Sequence, residues 1–306
     1  MKTGLLLLLS FLIFSGARAQ RMDSIKYAHG YLYFHTYGSG EPIIVLTGGP
    51  GANYQQLEEV AVNLGKKQHR AILLEQRGTG RSMPQPFNTS TINLRAAHSD
   101  LNLLLDHLKL KQAHFLGHSW GAMLAMSFAT AYPARVKSLM LVDPGPFKLD
   151  RAVNETYSHN REARLNPQDR QALAEVSRKV RSPNATPADQ ELYYKWELIP
   201  VLYDRTQVDT LITKINKGAL GPKMGGLMFQ DLSKKGFDLS RKLLLFTKPI
   251  HIITGSQDPG AFVSYELKIL LPKAHLHWID KSGHFPMYEQ PQQFYATLDK
   301  ILNPKP

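Results

Sequence analysis

Residues 117–121 read Gly117-His118-Ser119-Trp120-Gly121, preceded by the apolar run Ala113-His114-Phe115-Leu116 and followed by a small-residue stretch from Ala122 to Ala131. A G-x-S-x-G pentapeptide between a strand and a helix marks a sharp turn that presents the serine hydroxyl as a nucleophile. So tight a turn predicts strained backbone at Ser119 and a steric need for glycine on either side. Taken alone, the pentapeptide also fits an ordinary Gly-Ser turn before a helix. The surrounding chain decides between the two.

Working outward, Ser24 to Tyr37 alternates loosely and closes on Gly38-Ser39-Gly40, which predicts two antiparallel strands. Pro42–Leu46, Ala71–Leu74 and Ser138–Val142 are short continuous apolar runs, as expected of strands buried on both faces. Leu101, Leu104, Leu105 and Leu108 recur at helical spacing within Leu94 to Leu108. From Lys148 to Lys242 the chain turns charged and helical in pattern, broken by Pro183, Pro187 and Pro200. Strand-like runs resume at Leu243–Leu245, Ile250–Thr254 and His275–Ile279, and Pro291 to Leu302 has the pattern of a closing helix. Strands alternating with helices predict an α/β fold, a mostly parallel sheet with helices on both faces. The charged block reads as an inserted helical cap over the strand ends, where open α/β sheets bind ligands.

A serine hydroxyl needs a base, and the base needs an orienting acid. Asp258 follows the Ile250–Thr254 strand and His284 follows the His275–Ile279 strand. This gives the order Ser, acid, His that accompanies a nucleophile elbow. Ser119 is therefore the candidate nucleophile, His284 the base and then acid, and Asp258 the group that fixes the imidazole. Asp280 is the rival acid, but it shares a loop with His284. Thr47-Gly48-Gly49-Pro50-Gly51 follows the Pro42–Leu46 strand and offers the N–H of Gly49 to a developing oxyanion. Trp120, next to the nucleophile, offers the second. The glycine loop lacks the Lys-Ser/Thr ending of a phosphate loop.

Composition narrows the classes further. Met1-Lys2-Thr3-Gly4, an apolar run from Leu5 to Phe14 and the Ala17-Arg18-Ala19 site predict a secretory signal peptide over residues 1–19. The run is too short to span a bilayer, so stable membrane insertion is not expected, and the protein is expected to be secreted or periplasmic. There is no cysteine, which removes disulfides, thiol catalysis and thiolate metal sites. The net charge is +12, but the basic residues are scattered, which argues against nucleic acid. Sequons occur at Asn88, Asn154 and Asn184. His114 and His118 straddle a turn, and His275 and His277 alternate on a strand, so no metal or cofactor is expected.

With these motifs in place, the chain resembles the α/β-hydrolase superfamily, and within it the proline iminopeptidases (prolyl aminopeptidases). That group shows His-Gly-Gly-Pro-Gly, then Asp-Gln-Arg-Gly-x-Gly-x-Ser, then Gly-Gly-Ser-Trp-Gly. Here the three motifs are Thr47–Gly51, Glu75-Gln76-Arg77-Gly78-Thr79-Gly80-Arg81-Ser82 and Gly117–Gly121. Thr47, Glu75 and His118 are departures, none of which removes a catalytic group. The resemblance implies an α/β-hydrolase core over 20–147 and 243–306 and a cap over 148–242. It implies release of an N-terminal residue, preferably proline, from short peptides through an acyl-enzyme, with no cofactor. The family's cap carries a Trp-Glu pair. By resemblance Glu197 binds the substrate amine and Trp196 lines a proline pocket, while a solvated Glu and a core Trp remain the alternative. A second cap carboxylate would be an aspartate, such as Asp204 or Asp231. Ester hydrolysis on the same triad, or a non-catalytic binding role, are the competing functions.

Overall fold

The computed structural model describes residues 20–215 and 222–304, so the segment read as a signal peptide lies outside the described residues. The strands are β1 (Arg21–Tyr27), β2 (Gly30–Tyr37), β3 (Glu41–Leu46), β4 (His69–Leu74), β5 (Ala113–His118), β6 (Val136–Val142), β7 (Ile250–Gly255) and β8 (His275–Ile279). They form one sheet in the order β1-β2-β4-β3-β5-β6-β7-β8. β1 and β2 are an antiparallel pair, β2 is antiparallel to β4, and every later pairing is parallel.

Strand β3 shows why the interior strands read as unbroken apolar runs. Ile44 and Leu46 face one apolar cluster, Ile43 and Val45 face the other, and all four are fully buried. Successive side chains of a strand point to opposite faces, so a sheet covered on both sides needs every position apolar. Helices α1 (Glu58–Lys66) and α12 (Pro291–Leu302) contribute to one cluster, through Val60, Leu64, Phe294 and Leu298. Helices α2 (Leu94–His107) and α3 (Trp120–Ala131) contribute to the other, through Leu101, Leu104 and Phe128.

Between β6 and β7 lie α4 (Arg151–Glu162), α5 (Pro167–Val180), α6 (Pro187–Leu198), α7 (Val208–Ile215), α8 (Pro222–Lys235) and α9 (Ser240–Leu243). Local chemistry sets their starts. Asn166 and Thr186 each cap a helix whose next residue is proline, and Asp169 and Asp189 close the reciprocal capping boxes. Helices α10 (Ala261–Leu270) and α11 (Pro286–Glu289) follow β7 and β8. No helix among the described residues is long and apolar enough to cross a membrane.

Leu243–Leu245 is not a strand. Asp238 accepts the N–H of Ser240 and starts a helical turn, Leu243 alone is buried, and Leu245 is 81 % exposed. Three leucines without a second buried face have no sheet position to occupy.

Candidate active site

The register of the central strands brings their C-terminal ends together: Leu46 lies opposite Gly117, His118 opposite Val142, and Gly255 opposite Ile279. Ser119 leaves β5 with φ 53° and ψ −114°. This is a backbone conformation an L-residue adopts only under constraint. The constraint is visible: its N–H donates to Val142 O at 2.9 Å, and its carbonyl accepts from Ala122, Met123 and Gly145. A Cβ at Gly117 would collide with the Gly121 backbone, and one at Gly121 with the Leu46 carbonyl. The pentapeptide thus records a strand and a helix packed backbone to backbone.

His284 and Asp258 meet across the loops after β8 and β7, with Nδ1 of His284 donating to Asp258 Oδ2 at 2.9 Å. Asp258 Oδ1 accepts the N–H of Gly260, also at 2.9 Å. Burial alone would raise Asp258, but His284, by charge and by hydrogen bond, holds it below the usual carboxylate value. Asp280, the rival acid, is exposed and faces Ser256. Ser119 and His284 line the same two cavities.

The glycine loop after β3 lies against the serine: a Cβ on Gly48 would stand 3.3 Å from Ser119 Cβ. The N–H of Gly48 is already bonded to Gln56 Oε1 at 2.6 Å. Gly49 is the neighbour that lines both cavities beside Ser119. Trp120 begins α3, where the first N–H groups of a helix have no partner within it. Gln76, from the second motif, ties the glycine loop to the start of α3. Its Nε2 donates to Thr47 O at 2.8 Å, and its Oε1 accepts from the Trp120 indole at 2.9 Å. Arg77 beside it pairs with the buried Asp100. Glu75 accepts from the Arg81 N–H at 2.6 Å and meets His35 at 2.8 Å.

His118 is a member of the site that the sequence marked only as a departure. It is buried, and Nε2 meets the carbonyl of His284 at 2.8 Å, bracing the loop that carries His284. Burial, then the charge of His284, push it down to about 3. His98 is pushed down to about 4 by burial and Lys242. Both imidazoles stay neutral in the folded protein, while the unfolded chain binds a proton near the ordinary value of 6.5. The unfolded state then holds more protons in this window, so stability falls as pH drops from about 6.5 toward 4. Thermal melts should show a lower Tm at pH 4.5 than at pH 7. The difference should shrink in His98→Gln, and an unchanged difference would remove His98 as a cause.

The first cavity, about 240 Å³, is roofed by Tyr157 and Arg161 of α4 and by Tyr194 and Glu197 of α6. Glu197 therefore faces the Ser119 cavity, but Arg161 pairs with it at 2.7 Å. Trp196 does not line the cavity; it packs against the apolar cluster under the sheet. At about 100° per residue, α6 cannot turn Tyr194, Glu197 and Trp196 to one side, and the aromatic contribution comes from Tyr157 and Tyr194 instead. Asp204 and Asp231 do not line it either: Asp204 caps the turn at Thr206, and Asp231 pairs with Lys235 and Leu94 N–H. The second cavity, about 200 Å³, is more apolar, with Met123, Val153, Phe229 and Phe262 in its walls.

Comparisons with known proteins bear on the fold and the family. The family described as alpha/beta hydrolase fold matches residues 41–291. A proline iminopeptidase of Heyndrickxia coagulans is 26 % identical over 291 residues, 88 % of this chain and 93 % of that one. One from Lacticaseibacillus rhamnosus is 26 % identical over 298 residues, 91 % and 99 % of the two chains. Among solved structures, a Bacillus anthracis alpha/beta fold family hydrolase superposes with TM-score 0.73 at 20 % identity, covering 92 % of this chain and 99 % of that one. The Exiguobacterium antarcticum esterase superposes with TM-score 0.66 at 18 % identity, covering 89 % and 95 %. At such identities the structural likeness is one of fold. The sheet order, the elbow at Ser119 and the extent of the family match together place the chain in the alpha/beta hydrolase fold family, as a hydrolase.

Proposed function

We propose that the protein is a serine exopeptidase that releases an N-terminal residue, preferably proline, from short peptides. The observation that carries this reading is Glu197, which puts a carboxylate in the cavity shared by Ser119 and His284. Relatives called proline iminopeptidases that align over nearly the whole chain support it. In this mechanism Ser119 Oγ attacks the scissile carbonyl while His284 takes its proton. Asp258 holds the ring and stabilises the imidazolium. The N–H groups of Gly49 and Trp120 receive the oxyanion. His284 then protonates the leaving amine, and water releases the acyl-enzyme by the same route. The helices above Ser119 limit the length of the peptide.

A second reading, ester hydrolysis on the same triad, is favoured by one observation. Arg161 already neutralises Glu197, so a substrate amine must share that carboxylate. Chromogenic amides of proline, with and without an N-terminal block, and a short-chain ester separate the readings. The exopeptidase predicts fast cleavage of the free-amine amide alone. Glu197→Gln is expected to raise KM for that substrate by about 10-fold or more, the worth of one charge-assisted hydrogen bond, and to spare the ester. Ester cleavage without amide cleavage would discard the peptidase. We also propose that residues 1–19 are removed on export. Intact-mass analysis of secreted protein should then find Gln20 first, and a chain retaining Met1 would refute it.

A further inference from the structure

Asp143 directly follows β6 and plays no part in the mechanism above. It is fully buried. Its Oδ1 accepts the N–H of Gly255 at 2.9 Å, which joins the end of β6 to the end of β7. Its Oδ2 is also buried, yet has no hydrogen-bond partner among the described residues. One carboxylate oxygen of Asp143, one of Asp258 and one ring nitrogen of His284 lie within 4.8 Å of one another. Two buried carboxyls thus lie beside a single imidazole. Two adjacent buried anions repel strongly, and the pair relieves this by keeping one proton. Asp258 is the member already committed as an acceptor, to His284 and to Gly260. Asp143 is the member with an oxygen to spare.

We propose that Asp143 is a positioning residue for the triad: a neutral carboxylic acid whose Oδ2–H donates to Asp258. The direction of its ionisation agrees, since burial, then the charge of Asp258, raise Asp143 well above the ordinary carboxylate value. The other titratable groups facing it are Glu289 of α11 and Tyr157 of α4, and neither is a cation. A neutral Asp143 fixes the rotamer of Asp258 and limits the pair to one negative charge. A doubly charged pair would hold a proton on His284 and spoil it as a base.

The inference rests on the triad reading of Ser119, Asp258 and His284, so the experiment separates the two. In D2O near neutral pH, the infrared difference between wild type and Asp143→Asn is expected to show the carbonyl band of a protonated carboxyl. Its absence would overturn the proposal, and this readout needs no turnover. In kinetics, Asp143→Leu leaves Asp258 short of a donor. It should lower kcat by about 10- to 30-fold with little change in KM. It should also move the acid limb of the kcat/KM profile to higher pH, because Asp258 then binds the imidazolium more tightly. Asp143→Asn restores a neutral donor and should recover most of the loss, with the limb returned. A limb moved to lower pH in Asp143→Asn would show that an anion had been removed, and would overturn the proposal. If Asp143→Leu fails to fold, the infrared band and the Asp143→Asn profile decide alone. Activity persisting in Ser119→Ala would sink the triad itself and the role given to Asp143, whatever the band shows.

Discussion

Replacing Ser119 with alanine is expected to lower kcat/KM by at least about 10,000-fold on any substrate the wild type cleaves, because loss of a nucleophile removes the covalent route. The residue that remains after such a change is binding and oxyanion stabilisation, and these act on water attack only weakly. Labelling with a fluorophosphonate, followed by peptide mapping, should place the adduct on Ser119 and nowhere else. Activity within tenfold of wild type in the alanine variant would sink the assignment. The same position carries a stability signature. Ser119 sits at φ 53° and ψ −114°, a conformation that costs a side-chain-bearing residue roughly 1–3 kcal/mol. Ser119→Gly should therefore be inactive and yet melt a few degrees higher than wild type.

Asp258→Asn is expected to cost about 10,000-fold in kcat, because an amide in place of the carboxylate favours the wrong imidazole tautomer and leaves the imidazolium unsupported. Asp280→Asn is the matched control. It stands on the same loop as His284, but its carboxylate is exposed and lies 3.5 Å from Ser256 Oγ, so its removal should change kcat less than about twofold. Equal losses in the two variants, or a larger one in Asp280→Asn, would reassign the acid. Near-normal melting of both proteins is needed for the comparison, and the Asn side chain keeps the volume of the buried site.

What the sequence revealed follows the range of the forces involved. Strand β3 was legible because a two-sided burial demands four apolar residues in a row, Ile43 to Leu46. The candidate site was legible because Ser119, Asp258 and His284 each hang from the loop after a recognisable strand, and β-sheet register brings those strand ends together. The helix Pro291–Leu302 announced itself by proline at its start and apolar spacing along it. Leu243–Leu245 misled because hydrophobicity without a flanking pattern does not distinguish a turn from a strand. Trp196 stayed open between a pocket wall and a core position because the direction of a side chain on α6 depends on how that helix rests on its neighbours. The pairing of Arg161 with Glu197, 36 residues apart, is likewise a product of helix packing. Asp143 follows the apolar run Ser138–Val142 without any motif to mark it, and only its burial beside Asp258 singles it out.

One division of labour described above reaches beyond this enzyme's present substrate. Gly49, Ser119, Asp258 and His284 are delivered by loops after four different strands, whereas Tyr157, Arg161, Tyr194 and Glu197 all belong to one unbroken stretch of chain. That stretch leaves the sheet at Val142 and re-enters it at Ile250, and the strands on either side are paired directly, Val142 beside Ile253. Its two anchor points are thus fixed by backbone hydrogen bonds that do not depend on what lies between them. Exchange of the helices within this interval changes the walls of the cavity and leaves Gly49, Ser119, Asp258 and His284 in place, provided that Asp143 and the Val201 carbonyl that holds the His284 N–H are kept.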